Sequence, residues 1–322
     1  METSRSPRTV LELAWQLAAK VFPDYASKFS RHDFTFAQLF ACLVVREQLK
    51  LSYRKAEAFF RDVPEWLAAI GMSSVPDHNT LWRAFGTILK KQRVHKMLDN
   101  MVGLFEAAKM LKLSTKPLAI DSTCFAIRYR SYHYDRVCRK LKLKPGEKYC
   151  ENRDKTPDER RSAKVKQLPK LAIAIASGCH AILAIKAITG GGSDAPDFDS
   201  LLVQSWGRAK IKIVVADAGF DSEKNHRISR VELGIVSIIP AKIGRPTKKL
   251  PSGPFRRMMK KRFAKKADKK IYGQRSQVET VNSMIKRNLG DGMRSRKKKR
   301  QRQEMMLRIL THNLMLLANI ED

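Results

Sequence analysis

Cysteine offers this chain no covalent framework. Cys42, Cys124, Cys138, Cys150 and Cys179 are odd in number and widely spaced, which suggests neither a disulfide scaffold nor a thiolate zinc site. Histidine supplies no metal cluster either, since His32, His78, His95, His133, His180, His226 and His312 are scattered along the sequence. No hydrophobic run is long enough to span a bilayer, and the N-terminus has no signal-peptide core. The expected setting is a reducing, soluble compartment, the cytoplasm if the source is a prokaryote. Acidic side chains are scarce as well. There are 31 against 64 Lys and Arg, a formal charge of +33. Such an excess repels itself and favours a polyanion, nucleic acid first, because each neutralised phosphate releases counterions. An anionic membrane surface fits less well, because the cations are not confined to one amphipathic helix. What is present is enough for a core: 43% of the 322 residues are hydrophobic, which excludes a disordered basic tail.

Residues 10–110 read as helical. "FTFAQLFACLVV" predicts a buried helix, and in "PDHNTLWRAFGTILKK" Pro76 and Asp77 precede an apolar pattern of helical period. Residues 1–110 are therefore expected to form a helical domain. Either it binds DNA, with Arg54, Arg61 and Arg83 on phosphates, or it packs against the rest. From residue 111 to 322 the pattern changes. "PLAIDSTCFAI" predicts a strand, and "KLAIAIASGCHAILAIKAITG" a hairpin. "APDFDSLLVQSWGRA" predicts a helix, "KIKIVVADAGF" a strand, "SEKNHRISRVE" a helix and "GIVSIIPA" a strand. That order argues for an α/β fold, a mixed sheet with helices on its faces. Basic connections are read at 128–170 and 253–270, and a closing core helix in "EMMLRILTHNLMLLANI".

Three carboxylates stand in distinctive contexts. Asp121 interrupts an apolar strand, where burial is unfavourable unless a cation or donors satisfy it. Asp217 closes "IKIVVA" just before Ala218 and Gly219, the strand-end position where open α/β sheets bind ligands. Each aspartate also fits an ordinary structural turn. Glu279 is the one acidic residue between Asp268 and Asp291. At about 100° per residue, a helix reaching back to Tyr272 puts Tyr272, Arg275, Glu279 and Lys286 at bearings of about 0°, 300°, 340° and 320°. A surface salt bridge explains Arg275 with Glu279. It does not explain why Tyr272 and Lys286 share their stripe. Three carboxylates meeting in one cleft need positive charge, and hard cations with oxygen ligands supply it.

The spacing of Tyr272, Arg275, Glu279 and Lys286, with "AIDST" around Asp121 and "VVADAGFDS" around Asp217, resembles the Tyr-Arg-Glu-Lys signature of bacterial and archaeal insertion-sequence transposases of the DDE class. The resemblance spans roughly residues 30–320. It implies a ribonuclease-H-like fold: a mixed five-stranded sheet with flanking helices, preceded by a helical N-terminal domain. It implies that Asp121, Asp217 and Glu279 are catalytic and bind metal, with two Mg²⁺ ions expected and Mn²⁺ as a substitute. By the same resemblance Arg275 and Lys286 contact DNA near the cleaved end, and Tyr272 supports that region. Lys260, Lys261, Lys265, Lys266, Lys297, Lys298 and Lys299 are expected to hold phosphates. The implied partners are double-stranded DNA, terminal inverted repeats and target DNA, with a dimer assembling on DNA near the nucleoid. No small-molecule cofactor and no membrane are implied. The implied reaction hydrolyses element ends and transfers the 3′ hydroxyl into target DNA. The residues alone leave open a metal-dependent nuclease without strand transfer, and a DNA-binding protein without chemistry. Some relatives carry a β-rich insertion before the glutamate; the 61 residues between Asp217 and Glu279 leave no room for one.

Overall fold

The computed structural model describes residues 3–4, 6–127, 168–189, 193–242, 250–266 and 268–321. Most of the basic connection read at 128–170 therefore lies outside the described residues.

Six helices come first: α1 (Pro7–Ala19), α2 (Phe36–Gln48), α3 (Tyr53–Asp62), α4 (Pro64–Ala69), α5 (His78–Ile88) and α6 (Lys91–Ala107). Their starts are set by side chains that satisfy orphan N–H groups. Ser6 caps α1, with Pro7 at its first position, and Ser52 caps α3. Thr35 and Gln38 form a reciprocal capping box on α2. Asp77 caps α5 by accepting the Asn79 N–H at 2.7 Å, so the start signal in "PDHNTLWR" operates as expected.

The remainder is a ribonuclease-H-like α/β unit. Its strands are β1 (Leu118–Cys124), β2 (Ala126–Ile127), β3 (Pro169–Ala176), β4 (Ile182–Thr189), β5 (Ile213–Ala216), β6 (Val236–Ile238) and β7 (Gly292–Met293). Five of them form one mixed sheet in the order β4-β3-β1-β5-β6. The first two pairings, β4-β3 and β3-β1, are antiparallel; β1-β5 and β5-β6 are parallel. Strand β3 is buried throughout, which explains its unbroken apolar run "LAIAIA" in place of alternation. The short parallel pair β2-β7 fastens the chain beyond β1 to the segment after the signature helix.

Helix α7 (Ala195–Trp206) packs on β3 and β4, and the five-residue α8 (Glu223–Arg227) runs into a π turn at Ile228–Glu232. Helix α9 (Pro254–Ala264) occupies much of the stretch expected to be a basic connection. Its apolar anchors are Met259 and Phe263, and the ring of Phe263 meets Tyr272 edge-on at 5.0 Å. The one-turn α10 (Lys269–Tyr272) and a 3₁₀ turn (Gly273–Arg275) lead into α11 (Ser276–Leu289), which packs on β1 and β3.

The closing helix α12 (Lys298–Glu321) packs against β4, α6, α1 and α2. One hydrophobic core thus runs from the N-terminal helices into the sheet. Buried within it, Arg308 donates to Glu47 Oε1 at 3.0 Å, Glu304 Oε1 at 3.0 Å and the carbonyls of Gly290 and Gly292 at 2.7 and 2.8 Å. Gly290 ends α11 at φ 103° and ψ 147°, an extended positive-φ conformation open to glycine, and its carbonyl accepts from Arg308. Glu47 of α2 is in this way joined to the end of α11.

Candidate active site

The site is built first by strand register. Ile120 on β1 lies beside Ala216 on the parallel β5. The next residue along the chain is an aspartate in both cases, Asp121 still within β1 and Asp217 just past the end of β5, so the two stand at the same level. Asp217 keeps extended backbone and then caps a 3₁₀ turn, its Oδ1 accepting the Gly219 N–H at 2.6 Å. A Cβ on Gly219 would stand 3.1 Å from Asp194 Oδ2 and 3.6 Å from Asp217 Oδ1. A side chain here would crowd the Asp194 carboxylate.

Helix α11 supplies the third element. Asn282 Nδ2 donates to Asp121 Oδ2 at 3.1 Å, and Glu279 lies one turn earlier on the same face. Glu279 is half exposed and pairs with Arg275 Nη2 at 2.7 Å. The Arg275 guanidinium also lies 5.9 Å from the centre of the Tyr272 ring. Tyr272, Arg275 and Glu279 are therefore neighbours. The continuous helix used to place them on one stripe is instead interrupted by the 3₁₀ turn at Gly273–Arg275. Lys286 sits farther along, its Nζ 5.6 Å from the Phe125 ring, and it forms no ion pair among the described residues. The four residues thus divide into a Tyr272-Arg275-Glu279 group and a lysine beside the end of β1.

Burial pushes the Asp121 carboxyl up to about 6. The Ser122 N–H and the Arg275 charge oppose that rise, while the charges of Asp217 and Glu279 add to it. Burial raises the Tyr272 phenol too; Arg275 counteracts, and Asp217 and Glu279 reinforce. Burial would lower Arg275, but Tyr272, Glu279 and Asp121 outweigh it and hold the guanidinium above its usual range.

The donors here are all oxygens: Asp121, Asp217, Glu279 and the carboxamide of Asn282. That set suits hard divalent cations such as Mg²⁺ and Mn²⁺. Asn282 Oδ1 is buried and has no hydrogen-bond partner among the described residues, and a cation or its hydration shell is the kind of group that satisfies such an oxygen. The acidic trio is not drawn tightly together, because Glu279 turns onto Arg275. Among the described residues, three metal-binding groups lie within 4.8 Å only at Glu57, Asp77 and His78. There the His78 Nδ1 already meets Glu57 Oε2 at 2.7 Å, Asp77 caps α5 and Arg61 pairs with Glu57, so the cluster reads as helix capping.

Two contributors carry no signal in the sequence. Asn282 looks like any polar residue of an amphipathic helix. Asp194 accepts the Ser122 hydroxyl at 2.7 Å and the Lys170 ammonium at 2.7 Å, and Lys170 also meets Asp197 at 2.8 Å. Lys170 is buried on β3, whereas its charge and neighbours place it at the end of a basic connection when only the sequence is read.

The predicted phosphate contacts fall into two exposed groups. Lys260, Lys261, Lys265 and Lys266 lie on α9 and just past its end. Lys297, Lys298 and Lys299 surround the start of α12. Arg300 next to them stacks on Trp82 at 5.1 Å and Phe85 at 5.5 Å, which brings this run against α5. No helix among the described residues is long and apolar enough to cross a membrane.

Two family comparisons agree with this architecture. Residues 6–86 match the family described as Transposase domain (DUF772). Residues 113–314 match the Transposase DDE domain family, a span that contains β1, β5, α11 and all three carboxylates. No curated protein gives a match. With well over half of its length aligned to that second family, the chain belongs to the DDE-domain transposases.

Proposed function

We propose that this transposase-family protein hydrolyses phosphodiester bonds at the ends of a mobile DNA element and joins the freed 3′ hydroxyl to target DNA. The observation that carries this reading is the level placement of Asp121 on β1 and Asp217 at the end of the adjacent parallel β5, with Asn282 of α11, one turn from Glu279, bonded to Asp121. Asp121, Asp217 and Glu279 would hold divalent cations, two Mg²⁺ or Mn²⁺. When bound, these supply the positive charge that activates a nucleophile and stabilises a leaving oxygen.

Each further residue has a role that follows from its chemistry. Arg275 presents a planar fork to a non-bridging phosphate oxygen, and its ion pair with Glu279 keeps it at the cleft until DNA arrives. Tyr272 backs Arg275 and offers its hydroxyl to sugar or phosphate. Lys286, free of any acidic partner among the described residues, places a point charge on the next phosphate. Lys260, Lys261, Lys265 and Lys266 on one side, and Lys297, Lys298 and Lys299 on the other, follow the duplex. The second group is informative because cations at a helix N-terminus oppose the helix dipole, and no acidic residue offsets them in the first turn of α12. A phosphate would turn that local conflict into attraction. Residues 1–110 would form the domain that grips terminal inverted repeats, and residues 111–322 the catalytic domain. Two copies would assemble on paired ends, in a prokaryotic cytoplasm.

The test is joining. Pre-cleaved end duplexes, incubated with the full chain, Mg²⁺ and a circular target, should yield covalently joined products. Asp121→Asn, Asp217→Asn and Glu279→Gln should each bind the ends normally and lower joining by at least about 100-fold. Metal-dependent cutting without any joined product would identify a nuclease instead.

A further inference from the structure

The carboxamide of Asn282 is 7% exposed and touches the site through one of its two polar atoms only. Nδ2 donates to Asp121 Oδ2 at 3.1 Å, whereas Oδ1 is buried without a partner among the described residues. A buried amide oxygen left in this state is unfavourable, because it has given up its water without gaining a donor. A leucine or methionine at this position would continue the apolar face made by Val278, Val281 and Ile285 without that penalty. The amide also lies one helical turn from Glu279, on the face turned to β1. Its free oxygen is thus neutral and hard, on a side chain already bonded to Asp121.

We propose that Asn282 is a fourth oxygen donor of the active site, holding Asp121 through Nδ2 and presenting Oδ1 to the same divalent cation. A neutral ligand suits this position better than a fourth carboxylate. The three acidic groups already repel one another, and Arg275 is shared with Glu279. The carbonyl adds coordination without adding charge, and its buried rotamer fixes one side of Asp121 before metal arrives. The inference rests on the proposed metal-dependent function, and its test separates the two.

The full-length protein is titrated calorimetrically with Mn²⁺ and with Cd²⁺, without DNA. The variants are Asp121→Asn, Asn282→Leu and Asn282→Cys, each checked by its metal-free thermal transition. Asp121→Asn should abolish Mn²⁺ binding; if it leaves binding intact, the proposed function itself fails. Asn282→Leu should weaken Mn²⁺ binding by about 10-fold or more, in the range that supporting groups at metal sites produce. Asn282→Cys should bind Cd²⁺ at least about 10-fold more tightly than Asn282→Leu does, since a soft thiolate then faces the ion. A side chain that only steadied Asp121 would give no such change of preference. Loss of binding in Asp121→Asn together with wild-type Mn²⁺ affinity in Asn282→Leu overturns the proposal. So does a cysteine variant with no gain for Cd²⁺, and this arm remains decisive if the leucine variant does not fold.

Discussion

Arg275 is the side chain on which the site's charges converge, since it faces Tyr272, Glu279 and Asp121 at once. Its fork accounts for more than its charge. Arg275→Lys should leave end binding close to wild type but lower cleavage by about 10-fold or more, the loss expected when a charge-assisted bidentate contact becomes a single point charge. Single-turnover cleavage beside an equilibrium binding assay reads both effects. Arg308 concentrates charge in a different way, fully buried against Glu47 and Glu304. Arg308→Met leaves Glu304 without an ion pair and Glu47 with Arg46 alone, and should destabilise the fold by roughly 3–5 kcal/mol, measured by denaturant unfolding. The residues differ in how far the sequence reveals them. Asp121 and Asp217 stand out because a carboxylate breaks an apolar run. Asn282 and Arg308 do not, because each depends on a partner distant in the chain: Asp121 for the first, Glu47 for the second. Local pattern places Asn282 on a helix and Arg308 at a helix surface; only the tertiary fold buries them.

At the scale of elements, the sheet and its helices follow from periodicity, and the departures occur where backbone geometry decides. The stripe from Tyr272 to Lys286 assumes a continuous α-helix. The chain instead tightens to a 3₁₀ turn before Ser276, which keeps Tyr272 and Arg275 over Glu279 and leaves Lys286 near Phe125. The basic stretch at 253–270 gives little apolar signal, yet Gly253 and Pro254 start a helix that Met259 and Phe263 anchor. Lys260 and Lys261 are then displayed on the helix and Lys265 and Lys266 just past its end. Replacing Lys260, Lys261, Lys265 and Lys266 with glutamine should reduce the slope of log binding constant against log salt by up to about 0.9 for each phosphate that is no longer neutralised. The unfolding temperature should change little, because all four side chains are exposed. An unchanged salt slope would remove α9 from the DNA interface.

Across the whole molecule, α12 is the element that makes the two family-matched regions one body, packing on α1, α2, α6 and β4. His312 lies at its centre, wholly buried, and burial holds the imidazole down to about 4. The unfolded chain takes up that proton near the usual value of about 6.5, so between about 6.5 and 4 it binds more protons than the folded one. Stability is therefore complete above this window and falls as pH drops through it, by roughly 3 kcal/mol in all. Denaturant unfolding at pH 7 and pH 4.5 should show the loss, and His312→Leu should flatten it. The central claim is more specific: Asp121, Asp217 and Glu279, far apart in sequence, share a single cation site. The most direct measurement loads the full chain with Fe²⁺, adds ascorbate and peroxide, and maps where locally generated radicals cut the polypeptide. Cuts confined to the segments around residues 121, 217 and 279, and suppressed by excess Mg²⁺, are the result expected. Cuts near Glu57, Asp77 and His78 instead, or near one of the three carboxylates without the others, would contradict it.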